Sequence, residues 1–312
     1  MTTDSLAFVF PGQGSQYVGM GKGLCREFAT ARETFADADD ALGFALSELC
    51  FSGPEADLKR TENTQPAILT ASIAALRVLE SETALHPTWL AGHSLGEYSA
   101  LVGAGALTFR DAVVVVRERG RLMQQAVPEG SGAMAVILGL ESQAVSKLCQ
   151  DAAENEVVAP ANLNGAGQVV IAGSTAAVAR AAALAKQRGA KRVLDVPVSA
   201  PFHCRLMEPA AEALKKVLWD IPVRPLRTGI ITNVEADVNL DAERVKPLLI
   251  QQAVSPVRWE ESVQKLAALG CRRVIEIGPG KVLAGLVKRI APDLAVDNFD
   301  VPQDVRNRRR AT

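Results

Sequence analysis

Short apolar runs alternate with stretches of helical period along most of the 312-residue chain. Residues 6–10 (LAFVF) form an apolar run halted by Pro11-Gly12, which predicts a buried strand entering a turn. Residues 21–38 carry helical spacing. So does AILTASIAALRVLE, directly after Pro66. Proline suits a first helical turn, where its missing N–H would be unpaired anyway, so a helix is expected to open there. Residues 88–91 repeat the short apolar pattern, a glycine-flanked turn follows, and residues 111–126 predict another helix. Such strand-then-helix alternation predicts a mainly parallel sheet covered by helices.

The pattern changes after Pro128 and Gly130. Residues 132–140 predict a strand, 141–154 a helix, 157–164 and 168–173 two strands about Gly165-Ala166-Gly167, 175–188 an alanine-rich helix closed by Gly189, and 191–198 a last strand. The order β-α-β-β-α-β is the ferredoxin-like pattern. The expected fold class is therefore α/β. A large α/β-hydrolase-like domain with a parallel sheet (residues 1–128 and 198–312) is interrupted by a small ferredoxin-like subdomain (residues 129–197). Beyond the insert, helices are predicted at 207–218, 242–252 and 281–290 and strands at 228–233 and 274–277. The basic end, RNRRRAT, reads as a mobile tail.

Composition narrows the function classes. A chain that is 48% hydrophobic and 22% charged can bury a sizeable core, and with 4% aromatics that core is mostly aliphatic. A formal net charge of −1 argues against a nucleic-acid binder. The start, MTTDSLAFVF, does not read as a signal peptide, and no apolar run approaches a membrane span. The five cysteines (Cys25, Cys50, Cys149, Cys204, Cys271) are scattered and lack a C-x-x-C pair. They read as reduced thiols of a cytoplasmic protein, not a disulfide frame or a metal site.

The sharpest local signal is Gly92-His93-Ser94-Leu95-Gly96, a G-x-S-x-G turn between strand and helix. Such a turn exposes the Ser94 hydroxyl and places helix N–H groups beside it, where an oxyanion would form. A serine nucleophile needs a base, and the chain has three histidines. His93 adjoins Ser94, and successive side chains point apart at such a turn. His86 precedes the strand, at its far end. His203 remains, although alone it reads equally well as an interior histidine. Asp195 is the nearest acid upstream of it, with nothing specific in its favour; a backbone or amide carbonyl could orient the ring instead. Pro11-Gly12-Gln13-Gly14 does not fit a nucleotide-binding loop, because the third glycine of G-x-G-x-x-G would fall at Tyr17. Its glycines would rather bring backbone and the Gln13 amide to a reacting centre. Arg117, Arg119 and Arg121 crowd one helix and by themselves read as a solvated face.

FPGQGSQ near the start, TQPAI at 64–68, GHSLGEYSAL at 92–101, PFH at 201–203 and IGPGKVL at 277–283 occur together and in order. In these motifs the chain resembles the malonyl-CoA:acyl carrier protein transacylases, over residues 5–295. The resemblance implies Ser94 as acyl-accepting nucleophile, His203 as its base, and Gln13 and the Leu95 N–H as oxyanion hole. It implies Arg119 as partner of the malonyl carboxylate and Gln252 as the residue whose carbonyl orients the histidine. Gln65 and Asn162 would line the pocket. Phe202 would narrow it against an added methyl branch. An arginine suits the task, since its planar fork binds a carboxylate through two charge-assisted bonds. An acetyl group would leave it buried and unpaired, a discrimination worth about 10⁴.

The implied reaction moves malonyl from malonyl-CoA to the phosphopantetheine thiol of acyl carrier protein. It needs no metal and no other cofactor, and implies no nucleic acid or membrane partner; a monomer is the default. Lys186, Lys191, Arg192, Lys281, Lys288 and Arg289 are candidates for a basic patch facing an acidic carrier. Two other readings remain open: a serine thioesterase or esterase using the same pair, and a non-catalytic scaffold that keeps the fold.

Overall fold

The computed structural model describes residues 5–198 and 200–309, Arg309 by its backbone alone. Residues 1–4, Ser199 and residues 310–312, all within the bounds given above for the large domain and the last three in its basic tail, lie outside the described residues.

The first part of the chain runs β1 (Ser5–Phe10), α1 (Lys22–Glu27), α2 (Ala29–Leu42), α3 (Leu46–Ser52), α4 (Glu55–Leu58), α5 (Thr61–Glu82), β2 (Trp89–Gly92), α6 (Leu95–Gly103) and α7 (Phe109–Gln125). Next come β3 (Gly132–Leu138), α8 (Ser142–Ala153), β4 (Val158–Leu163), β5 (Gln168–Ser174), α9 (Thr175–Gln187) and β6 (Arg192–Asp195). The chain then continues through α10 (Glu208–Trp219), β7 (Gly229–Ile231), β8 (Val238–Asn239), α11 (Val245–Val254), α12 (Trp259–Ala268), β9 (Cys271–Ile277), α13 (Val282–Ile290), β10 (Ala295–Phe299) and α14 (Pro302–Arg309). This is a mixed α/β fold. None of the described helices is long and apolar enough to cross a membrane.

Two sheets organise these elements. The six-stranded sheet has the order β10-β9-β1-β2-β7-β8, parallel except for β8. The four-stranded sheet has the order β4-β5-β3-β6, with every neighbour antiparallel. β1 is central and packed on both faces, which explains its unbroken apolar run. Its alternate residues enter different cores: Phe8 and Phe10 join α5, α6 and α7, while Ala7 and Val9 join Trp259, Val263, Leu283 and Leu286 from α12 and α13.

Several local expectations are corrected. The helix expected at 21–38 is split at Phe28, which is extended (φ −117°, ψ 128°) and packs its ring on the core. Pro66 lies inside α5, not at its start. The Arg60 carbonyl already accepts from Asn63 and Thr64, so the helix opens at Thr61. The strand expected at 191–198 shortens to β6, and the helix expected at 242–252 begins with a 3-10 turn, Ala242–Arg244. The basic tail is helical through Arg309, with Arg306 paired to Glu27 and Arg308 bonded to the Asn298 carbonyl.

The small sheet is tied by backbone to the segment between α11 and α12. Val257, between α11 and α12, donates to the Ala161 carbonyl (2.8 Å) and accepts from Leu163 N (2.9 Å), both in β4. Val257→Pro removes that donor and should cost about 1–3 kcal/mol. Amide exchange should then rise first in β4; unchanged protection there would mean the tie is not structural.

Candidate active site

The site begins with two glycines. A Cβ on Gly92 would lie 2.0 Å from the Gly96 carbonyl, and one on Gly96 would lie 2.0 Å from the Phe10 carbonyl. Only glycine at both positions lets the first turn of α6 press against β1 and β2. Ser94 is forced between them into φ 52°, ψ −109°, a conformation L-residues rarely hold. Asn233, at the end of β7, braces the turn: its Oδ1 accepts from Ser94 N at 2.7 Å and its Nδ2 donates to the Gly92 carbonyl at 2.6 Å. Leu95 N, the first of α6, has no intrahelical acceptor.

His203 approaches from the other side, also at positive φ (61°). Its loop is seated by Pro201, whose ring occupies the space a Cβ on Gly132 would need (2.3 Å). His203 Nε2 lies 2.7 Å from Ser94 Oγ, and Nδ1 lies 2.9 Å from the Gln252 carbonyl. That second bond favours the tautomer with the proton on Nδ1, leaving Nε2 as an acceptor. Burial, seconded by the positive charge of Arg119, lowers the His203 pKa to about 3. Asp195 is exposed in β6 and is not the partner of Nδ1. His93 turns away, with Nε2 2.9 Å from Asn164 Oδ1 and its ring near Trp259.

Arg119 is 1% exposed. Nη1 donates to Gln65 Oε1 (2.8 Å); Nη2 donates to Gln252 Oε1 (2.9 Å) and Ser94 Oγ (3.1 Å). Its neighbours on α7 face elsewhere: Arg117 lies over the Phe44 ring and Arg121 pairs with Glu118. Gln252 serves four partners, because its Nε2 also donates to the Ser94 carbonyl (3.0 Å) and to Glu97 Oε2 (2.7 Å).

These groups border a cavity of about 240 Å³ between the two sheets. Gln13, Gln65, Ser94, Leu95, Arg119, Asn162, Phe202 and His203 line it, and Gln252 stands behind. The Gln13 side chain is directed to Thr61 Oγ1 (3.4 Å). Asn162 Oδ1 is buried without a partner. Among the described residues, no group of three or more His, Cys, Asp or Glu side chains gathers as a metal site.

Two members of the site were not singled out in the sequence. Glu97 stands three residues after Ser94, a helix-start spacing, and an acid inside LGEYSAL would have to be buried. Asn233 gives no signal, since it meets Ser94 only through the sheet.

Residues 7–298 match the acyl transferase domain family. The malonyl CoA-acyl carrier protein transacylase of Escherichia coli (strain K12) is 48% identical over 296 residues, covering 95% of this chain and 96% of that protein. The crystal structure of an acyl carrier protein S-malonyltransferase from Vibrio cholerae O1 biovar eltor superposes with a TM-score of 0.95 at 49% identity, covering 97% of this chain and 99% of that one. A type II PKS acyl-carrier protein in complex with its malonyl-transacylase provides a further match, with a TM-score of 0.96 at 44% identity, covering 99% and 100%.

Two predictions follow from the geometry. Gly96→Ala should cost about 3 kcal/mol or more, read as a lower denaturation midpoint, because the new methyl meets backbone and not a movable side chain. The second concerns pH. An unfolded histidine takes a proton near 6.5, whereas folded His203 resists until about 3. Between those values the unfolded chain binds the extra proton, so acidification costs stability. Glu97 and Glu276, both raised to about 7 mainly by burial, act oppositely between about 4.5 and 7, where the folded chain holds the extra proton. Relative to its own stability at pH 7, His203→Gln should lose less than the parent at pH 5 in denaturant titrations. Equal losses would contradict a buried neutral histidine.

Proposed function

The chain belongs to the acyl transferase domain family, and on that premise we propose that it transfers malonyl from malonyl-CoA to the phosphopantetheine thiol of acyl carrier protein, through an ester on Ser94. The observation that carries the reading is the buried Arg119 guanidinium, bonded to neutral acceptors only, 3.1 Å from the Ser94 hydroxyl. A cation so placed calls for an acyl group that brings its own carboxylate.

In the first step His203 Nε2 takes the Ser94 proton as Oγ attacks the thioester carbonyl. The Leu95 N–H, with the Gln13 loop, stabilises the tetrahedral oxyanion. The C–S bond breaks and His203 returns the proton to the departing thiol. In the second step the carrier thiol gives its proton to His203 and attacks the ester, and Ser94 leaves with that proton. Every proton is handled by this pair, so the reading calls for no metal or redox group. Gln252 orients His203 through its carbonyl and holds Arg119 through its amide. Gln65 supports the guanidinium, and Phe202 and Asn162 bound the acyl and pantetheine space. The relatives that match along the chain's length, one from a complex with a carrier protein, support the same substrates.

The six-stranded unit is α/β-hydrolase-like, a reading supported by its parallel strands and the strand–serine–helix turn. The four-stranded unit is ferredoxin-like, supported by its antiparallel order β4-β5-β3-β6. Domain boundaries at 128/129 and 197/198 fall between α7 and β3 and just after β6. The carrier docks beside α13, where Lys281 adjoins the cavity-lining Val282, itself 51% exposed, and the exposed Lys288 and Arg289 lie in the last turn of the same helix. A reducing cytoplasm suits the five free, buried cysteines.

Brief exposure to malonyl-CoA should add one malonyl mass to the intact protein, and Ser94→Ala should abolish it. Acetyl-CoA should load at least about a hundredfold more slowly, and Arg119→Ala should narrow that gap. Persistent loading of Ser94→Ala would exclude the serine ester. Malonate release outpacing transfer when carrier is present would favour a thioesterase.

A further inference from the structure

Glu97 takes no part in the two chemical steps, yet it lies at the centre of the site's hydrogen bonds. It is 1% exposed, in the first turn of α6. Its Oε2 accepts from Gln252 Nε2 (2.7 Å) and from Asn233 N (3.1 Å). Gln252 in turn holds Arg119 and His203, and Asn233 holds Ser94. A single amide therefore separates the Glu97 carboxylate from a guanidinium that no carboxylate touches directly. Desolvation disfavours the charge on Arg119; Tyr98 and Glu97 favour it.

We propose that Glu97 is the resident counter-charge of Arg119, ionised in mildly alkaline solution while the pocket is empty, and that it takes up one proton when a carboxylated acyl group settles on the guanidinium. This rests on the proposed pairing of Arg119 with the acyl carboxylate. Two carboxylates facing one buried cation repel each other, and in a dry site such repulsion drives one of them to its acid form. The acyl carboxylate reaches the guanidinium directly, whereas Glu97 reaches it through an amide, so Glu97 is the one that yields. The proton comes from solvent. Gln252 keeps its orientation, because the Glu97 oxygen it donates to still accepts, though more weakly, as the carbonyl of a carboxyl protonated on its other oxygen.

The charged and titratable groups around Glu97 leave it as the one poised to change. Arg119 on α7 attracts its charge and Glu235, after β7, opposes it. Tyr98, its neighbour on α6, is raised to about 12 by burial and stays protonated. His203 stays neutral, with its pKa near 3, and His93 is likewise lowered by burial. Glu97 itself is lifted to about 7 by burial, against the bonds from Gln252 and Asn233. A new negative charge on Arg119 lifts it further. Binding of a carboxylate is then insensitive to pH well below 7 and weakens above it, until the raised value is passed.

Monomethyl malonate is a suitable probe, with one carboxylate and an ester in place of the thioester. Isothermal titration of the wild-type protein near pH 7.5, in two buffers of different ionisation heat, should show uptake of a large fraction of one proton. From about pH 7 upward its affinity should fall by as much as tenfold per pH unit. Glu97→Gln should bind without proton uptake, show no such slope, and bind several-fold more tightly than wild type near pH 8.5. A structural defect would weaken binding instead. Wild-type binding without proton uptake, or the same slope in Glu97→Gln, overturns the proposal. If Glu97→Gln does not fold, the wild-type buffer comparison decides alone. Arg119→Ala separates the two readings: binding that survives its loss removes the carboxylate pairing itself, and Arg119-dependent binding without proton linkage removes only the role of Glu97. No binding by wild type counts against both.

Discussion

The geometry around Ser94 depends on an approach of backbone to backbone. The first turn of α6 sits so close to the Phe10 carbonyl that no side chain fits at Gly96, and the same turn closes on Gly92. Ser94 is held in a left-handed conformation because both glycines allow the chain to fold back there and Asn233 pins it. His203, also at positive φ, is pressed toward it by Pro201 against Gly132. Each strained residue costs on the order of 1–3 kcal/mol, which the packed surroundings offset. In return, two side chains meet at 2.7 Å with little freedom left to lose when substrate arrives.

Charge is organised on the same scaffold. His203, the proposed base, is oriented by a neutral carbonyl and not by a carboxylate, and Arg119 nearby lowers its basicity beyond the effect of burial. On the proposal above, a carboxylated acyl group would bring its charge into direct contact with the guanidinium as Glu97 gives up its own, so the negative charge beside Arg119 would move closer without increasing.

The Ser94–His203 pair was legible because its signals are local or exclusive. The glycine pair marks the serine turn, and with so few histidines, position within the fold singles out His203. The β-α-β-β-α-β order was readable from spacing alone. What escaped depends on distance in the chain. Asn233 meets Ser94 across 139 positions, which no pattern encodes. Helical period sets Arg119 on a different face from Arg117 and Arg121 but does not say which face is buried; packing against α5 decides it. The break at Phe28 and the early start of α5 reflect packing and carbonyl pairing that override helical spacing. α12 was missed although Trp259, Val263 and Leu266 carry its period, because it lies close behind α11 and the Ser255-Pro256 break hides the restart.

The backbone tie at Val257 has a consequence for how the molecule fails. Gln252, whose carbonyl seats His203, lies five residues before the point where the chain joins β4. The loop bearing His203 follows directly from β6 of the same small sheet. A molecule whose four-stranded unit has opened or not yet folded would keep its serine turn, built wholly from the other sheet, but would lose its base. Damaged or newly made chains would thus be silent, not wasteful, unable to squander activated thioesters on water.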